Sequence, residues 1–139
     1  MNIKLVLVAA CALVDADGRV LLTARPPGKS MAGLWEFPGG KVEEGESLPA
    51  AIGRELYEEL AVTAQIGDEV FRTLHRYRGI ADNLLVVFFR ADIRDKDVPQ
   101  NLVFERIEWA DLVSLPRYDF LQADRELTAF LASRVIPLH

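Results

Sequence analysis

A single α+β domain, an α/β/α sandwich around a mixed β-sheet, is the fold this sequence predicts, and three observations predict it. The chain has 139 residues, room for one domain and little else, so residues 1–139 are read as one unit. Apolar runs of strand length, bounded by Gly, Pro, Asn and Asp, recur along it. Two segments, near 48–60 and 122–133, carry the longer apolar period of amphipathic helices.

In chain order, residues 3–14 and 19–25 read as two strands joined by the turn Asp15-Ala16-Asp17-Gly18. Residues 26–35 form a Gly/Pro loop, and an extended segment, EFPGGKV, follows it. Ser47 is suited to cap a helix over 48–60, with Pro49 tolerated in its first turn. Strand-like runs come at 62–77 and 83–92, separated by Gly79, and 94–101 is a polar loop. A short strand near 104–109 precedes a turn at Leu115-Pro116 and the last helix, 122–133.

The chain is 50% hydrophobic and 27% charged, which excludes a disordered chain. No apolar stretch reaches the roughly 18 residues that span a bilayer. The apolar start ends in Val8-Ala9-Ala10-Cys11, which imitates a lipoprotein signal. Its apolar segment is shorter than a signal needs, and it continues through Ala12, Leu13 and Val14 into the turn, as a buried strand does. The expectation is a cytoplasmic protein without a membrane partner, with Cys11 a small buried hydrophobe that has no second cysteine to pair with. A net charge of −5 and a pI near 5.0 argue against binding a nucleic-acid duplex. An anionic substrate must therefore be received by metal ions or by a few placed cations.

The chemistry lies in residues 39–62, GGKVEEGESLPAAIGRELYEELAV. Glu55, Glu58 and Glu59 sit at helical offsets, so three carboxylates share one face. Ile52, Leu56 and Leu60 form an adjacent apolar stripe that would bind the helix to a sheet. Ala51 leaves space over the acidic patch, and the missing side chain of Gly53, beside the apolar stripe, would let a neighbouring backbone come close. Clustered carboxylates repel unless a cation sits among them, and hard oxygen donors suit Mg²⁺ or Mn²⁺. A solvated acidic face neutralised by Arg54 and Lys41 is the alternative reading.

The spacing Gly40, five residues, Glu46, seven residues, Arg54-Glu55-Leu56-Tyr57-Glu58-Glu59-Leu60-Ala61-Val62 resembles the Nudix box, with every charged position filled. The departure is Ala61, where the family pattern has glycine; a left-handed residue there would cost about 1 kcal/mol as alanine. TARPPGKSMAGLWEFPGGKVEEGES, with Trp109 and Gln122-Ala123-Asp124, resembles the MutT branch of nucleotide-pool pyrophosphohydrolases. The resemblance implies a Nudix-type α/β/α sandwich and a Mg²⁺-dependent (Mn²⁺ in its place) hydrolysis of (8-oxo-)dGTP to the monophosphate and pyrophosphate. It implies a small nucleotide as partner, in a monomer or homodimer.

By the same resemblance Glu58, Glu59 and the Gly39 carbonyl hold metal, and Glu55 is a further ligand or the base that orients water. Arg54 would orient Glu58, four residues on. Arg25 and Lys41 are candidate phosphate contacts, and Ser30, Glu36, Phe37 and Pro38 are implied as further substrate contacts. A second acid is expected after the sheet, Glu105 in preference to Glu108. Asp124 is placed to read the base, as an ionised group that only accepts hydrogen bonds. His75 with Arg72, Arg76 and Arg78 suggests a positive patch near the phosphates, and Trp35 and Tyr118-Asp119-Phe120 offer rings to stack a base; core packing is the plainer role of those aromatics. Two alternatives keep the fold: hydrolysis of cytosine nucleotides or another nucleoside-diphosphate-linked substrate, and a module that senses nucleotides without cleaving them.

Overall fold

The computed structural model describes residues 5–76, 83–94 and 97–133. Along the chain run β1 (Leu5–Val14), β2 (Val20–Ala24), β3 (Trp35–Glu36), β4 (Gly39–Lys41), α1 (Leu48–Leu60), β5 (Ala64–His75), β6 (Asn83–Ile93) and β7 (Arg106–Ala110). A 3₁₀ helix (Leu112–Arg117) and α2 (Gln122–Ser133) close the series. Both α-helices occupy the predicted residues. The last strand lies later than expected, and the Leu115-Pro116 turn is part of the 3₁₀ helix. Residues 3, 4 and 77 of the predicted strands, and Gly79, lie outside the described residues.

The sheet is mixed. Its order is β3-β2-β1-β6-β5, with β4 also paired to β1 and β7 to β2. β1 and β6 run parallel in register from Leu5↔Asn83 to Val14↔Asp92, and the other pairings are antiparallel. The turn that launches β2 is built by Asp15, whose Oδ1 accepts the backbone N–H groups of Asp17 and Arg19 at 3.0 and 2.8 Å.

Strand alternation sorts the core into two layers. Ala10, Ala12, Val86 and Phe88 pack in one buried cluster with Ala123 and Leu127 of α2. Ala9, Cys11, Leu13 and Val87 pack in another with Ala51, Ile52, Leu56 and Leu60 of α1. The result is the α/β/α sandwich that was expected. β1 is central to it and Cys11 is fully buried, which pushes its thiol up to about 12. No helix among the described residues is long and apolar enough to cross a membrane.

The other edge of β1 is shared. β4 takes Val8–Ala10 and β2 takes Val14, so the sheet is split between those partners. Gly39 permits the first pairing. A Cβ there would lie 2.3 Å from the Ala9 carbonyl oxygen and 2.5 Å from the Ala10 Cα.

Helix α1 begins on Ser47, whose hydroxyl accepts the Ala50 N–H at 3.2 Å. It ends on Ala61, left-handed at φ 55°, ψ 36°, so alanine carries the cost foreseen for it. Gly53 differs from its expectation. Nothing lies within 4 Å of a Cβ built there, so its small size admits no neighbour. Ala51, also read as a spacer beside the acids, is fully buried against the sheet. Gly53→Ala and Ala61→Gly should each raise stability by about 1 kcal/mol, the first by restoring helix propensity and the second by relieving the left-handed alanine. Thermal melts of the double variant should rise by about 4–8 °C. A fall for Gly53→Ala would mean that something packs on that face.

Candidate active site

One cavity of about 710 Å³ gathers most of the predicted site. Arg25, Ser30, Glu36, Phe37, Gly39, Lys41, Glu55, Glu59 and Asp124 all line it. Its lining crosses the split in the sheet: Val8, Ala10 and Val86 come from the α2 side, and Glu55 and Glu59 from α1.

The acidic end is a strained electrostatic arrangement. The Glu59 carboxyl is held well above the usual carboxylate range, first by burial and then by hydrogen bonding and repulsion from Glu55, with Glu36 adding to it. Glu59 Oε1 is buried without a hydrogen-bond partner among the described residues. Glu55 lies beside it in the space that Gly40 leaves open, where a Cβ would meet its Oε1 at 2.4 Å. An orphaned buried carboxylate oxygen beside a second carboxylate fits a hard divalent cation. Among the described residues no three acidic, His or Cys side chains already converge as a metal cage. Mg²⁺ does not need one, because waters and substrate phosphates complete its shell. Glu59 would hold such an ion together with the Gly39 carbonyl, with Glu55 beside it as a further ligand or as the base that orients water.

Glu58 is placed differently from its neighbours. Its side chain is 57% exposed, its nearest cation is Arg54 at 3.4 Å, and it does not line the cavity. Arg54 was expected to orient Glu58, but its main partners lie elsewhere. Its Nε and Nη2 meet the two oxygens of Glu46 at 2.8 and 3.0 Å, its Nη1 meets Glu55 at 2.9 Å, and Nη2 also donates to the Lys41 carbonyl at 3.0 Å. This fork fixes the loop 41–46 to the helix and holds Glu55 in place. The Arg54 hydrogen bonds keep the Glu46 carboxyl below its usual range, and Glu46 holds Arg54 firmly charged. Glu46 entered the sequence pattern only as a spacing; its role here is to seat Arg54.

Asp124, in the first turn of α2, also lines the cavity and is only 6% exposed. Its carboxyl accepts a hydrogen bond from the Phe37 backbone and is pushed well above its usual range by burial and then by Glu36, with Arg25 opposing. Burial thus favours the protonated form, which donates as well as accepts. This direction runs against the reading of Asp124 as an ionised acceptor, and the sequence carries no signal for the burial of a polar residue in a helix's first turn.

Other expectations fall outside the cavity. Glu105 is exposed and does not line it; its backbone N–H is tied to the Ala24 carbonyl at 3.0 Å, and the residues that reach the cavity from this segment are Val103 and Phe104. Glu108 hydrogen-bonds Tyr118. Pro38 is buried beside β4, where its carbonyl accepts the Cys11 N–H at 2.9 Å. Trp35 and Phe120 are core residues, and Tyr118 packs edge-on to Trp35 at 5.2 Å between ring centroids. His75 pairs with Glu126 at 3.2 Å and Arg72 with Glu69 at 2.6 Å, and neither lines the cavity; Arg78 lies outside the described residues. Lys29 lines the cavity and was not among the sequence candidates.

A split mixed sheet between two helices, with a loop–helix–loop presenting paired acids to a cavity, defines a fold class that the comparisons name. The chain belongs to the Nudix family: the NUDIX domain model matches residues 4–131. It is 51% identical over 59 residues to the CTP pyrophosphohydrolase of Escherichia coli K12, covering 42% of this chain and 44% of that one. It is 35% identical over 119 residues to the putative 8-oxo-dGTP diphosphatase 2 of Mycobacterium tuberculosis H37Rv, covering 78% and 74%. The chain spans about half the length of the curated relatives it matches first. The solution structure of the E. coli ORF135 protein superposes with a TM-score of 0.75 at 31% identity, covering 97% of this chain and 96% of that one.

Proposed function

We propose that this protein is a Mg²⁺-dependent nucleoside triphosphate pyrophosphohydrolase of MutT type, taking (8-oxo-)dGTP to the monophosphate and pyrophosphate. The observation that carries the reading is one cavity lined by both the Glu55–Glu59 acid pair and Asp124. A bound divalent ion supplies charge neutralisation of the phosphates and lowers the pKa of water. The residues do the rest. Glu55, held by Arg54 and seated against Gly40, orients the attacking water and takes its proton. The water oxygen bonds to phosphorus as the bridging P–O bond breaks and pyrophosphate leaves. Glu58, turned toward Arg54 outside the cavity, would have to change rotamer to join the metal ligands. Mn²⁺ suits the same oxygen donors.

Asp124 reads the base. In protonated form its O–H donates to guanine O6 while its carbonyl oxygen accepts from the ring N–H that 8-oxidation creates at N7. A second reading, cytosine nucleotides, is favoured by the similarity to the CTP pyrophosphohydrolase, and the same carboxyl can donate to cytosine N3 and accept from its N4 amine.

Pyrophosphate release with Mg²⁺ over 8-oxo-dGTP, dGTP, dCTP and CTP separates the readings. The highest kcat/KM should fall on 8-oxo-dGTP; a preference for cytosine establishes the second reading, and binding without turnover makes the protein a sensor. Asp124→Ala should flatten the ranking by roughly 10- to 100-fold, the worth of one hydrogen bond to a polar buried group. Asp124→Asn, which also donates and accepts, should keep it. An unchanged ranking in Asp124→Ala would remove Asp124 from base recognition.

A further inference from the structure

The loop between β2 and β3 uses up one of its two cavity cations and leaves the other free. Arg25 was expected to meet phosphate, but its guanidinium is occupied within the loop. Nε donates to the Ser30 carbonyl at 2.8 Å and Nη1 to Glu36 at 3.3 Å. The backbone closes around it, with Arg25 N–H on the Leu34 carbonyl and Gly33 N–H on the Arg25 carbonyl, both at 2.9 Å. Met31 turns through φ 57° at the cavity wall, a left-handed conformation that non-glycine residues hold only when their surroundings impose it. Arg25 therefore acts as the brace of a compact, built loop.

That loop carries Lys29 on the cavity wall. The charge of Lys29 lies near enough to Glu36 and Glu59 to favour the ionised form of both. The ion pairs at this cavity belong to Arg25 and Arg54, and Lys29 makes none within 4 Å among the described residues. A flexible ammonium beside two acids, bonded to neither, is suited to change partners when an anion arrives. One of the two acids, Glu59, is a group that a divalent ion would neutralise, and Arg25 already pairs the other, Glu36, which leaves the Lys29 charge for incoming phosphates.

We propose that Lys29 is a phosphate-binding cation of this site, contacting the phosphate chain of the metal–nucleotide substrate while Arg25 holds the loop that presents it. The proposal rests on the pyrophosphohydrolase reading for its substrate and deepens it. It is tested by steady-state hydrolysis of dGTP and 8-oxo-dGTP, and by calorimetric binding of Mg²⁺-tripolyphosphate, in wild type, Lys29→Met and Lys29→Arg. Lys29→Met should raise KM by about 10-fold or more with kcat within about 3-fold, weaken tripolyphosphate to the same extent, and flatten the ionic-strength dependence of kcat/KM. Lys29→Arg should restore most of the loss. Unchanged KM and tripolyphosphate affinity in Lys29→Met would overturn the assignment, as would a fall in kcat alone. If wild type hydrolyses no nucleotide yet binds tripolyphosphate through Lys29, the pyrophosphohydrolase reading fails and the phosphate contact stands.

Discussion

Glu59→Gln should lose most turnover, by roughly 10³-fold, while remaining folded. The amide keeps the shape of the side chain but cannot hold a divalent ion, and the neutralisation such an ion gives a transferring phosphoryl group is worth several kcal/mol. The same residue sets a pH dependence of stability. Its folded pKa is raised, so the folded state binds this proton more tightly than the unfolded chain does. The stability it lends is therefore fully present below the ordinary carboxylate pKa and is lost as pH rises through the raised one. Asp124 acts in the same direction. Melting of the metal-free protein should accordingly fall between about pH 5 and pH 9, Mg²⁺ should recover part of the loss, and Glu59→Gln should flatten the fall and abolish the Mg²⁺ effect. Turnover within a few-fold of wild type, with the same Mg²⁺ dependence, would remove Glu59 from the metal site.

The second large effect divides two adjacent glycines. Gly39→Ala places a Cβ 2.3 Å from the Ala9 carbonyl oxygen, and neither backbone can yield without breaking the β1–β4 pairing. The expected cost is about 3 kcal/mol or more, roughly a 10 °C fall in Tm. In Gly40→Ala the nearest atoms to the new Cβ are the end of the flexible Glu55 side chain, which can swing aside. Its Tm should change little, whereas its activity should drop by about 100-fold, because displacing a positioned group by an ångström costs on that order. Equal losses of stability in both variants would contradict this division.

What the sequence made legible follows from periodicity. The apolar stripe of Ile52, Leu56 and Leu60 placed α1 on the sheet, and Ser47 and Ala61 marked its ends as caps. The same helical spacing brought Glu55 and Glu59 together in one cavity. Spacing does not report rotamers, so it could not separate Glu58, turned toward Arg54 and solvent, from its neighbours. Nor does it report which partner a long cation chooses. Arg54 takes Glu46 and Arg25 takes the loop carbonyl of Ser30, choices made by tertiary approach. Gly53 sits by the apolar stripe, yet no described residue lies within 4 Å of a Cβ built there, since a helical wheel gives a direction but not what occupies it. The loop acid failed for a related reason: Glu105 is fastened to β2 by its backbone, and Val103 and Phe104 reach the cavity in its place.

Glu59 is a buried acid suited to a cation, and proton release on metal binding is its direct signature. Mg²⁺ should be titrated calorimetrically into the metal-free protein near neutral pH, in buffers of different ionisation enthalpy. Wild type should release a substantial fraction of a proton per bound ion, and Glu59→Gln should release almost none. Mg²⁺ binding to wild type with no proton released, or with the same release in Glu59→Gln, would show that Glu59 is not the acid a bound ion ionises.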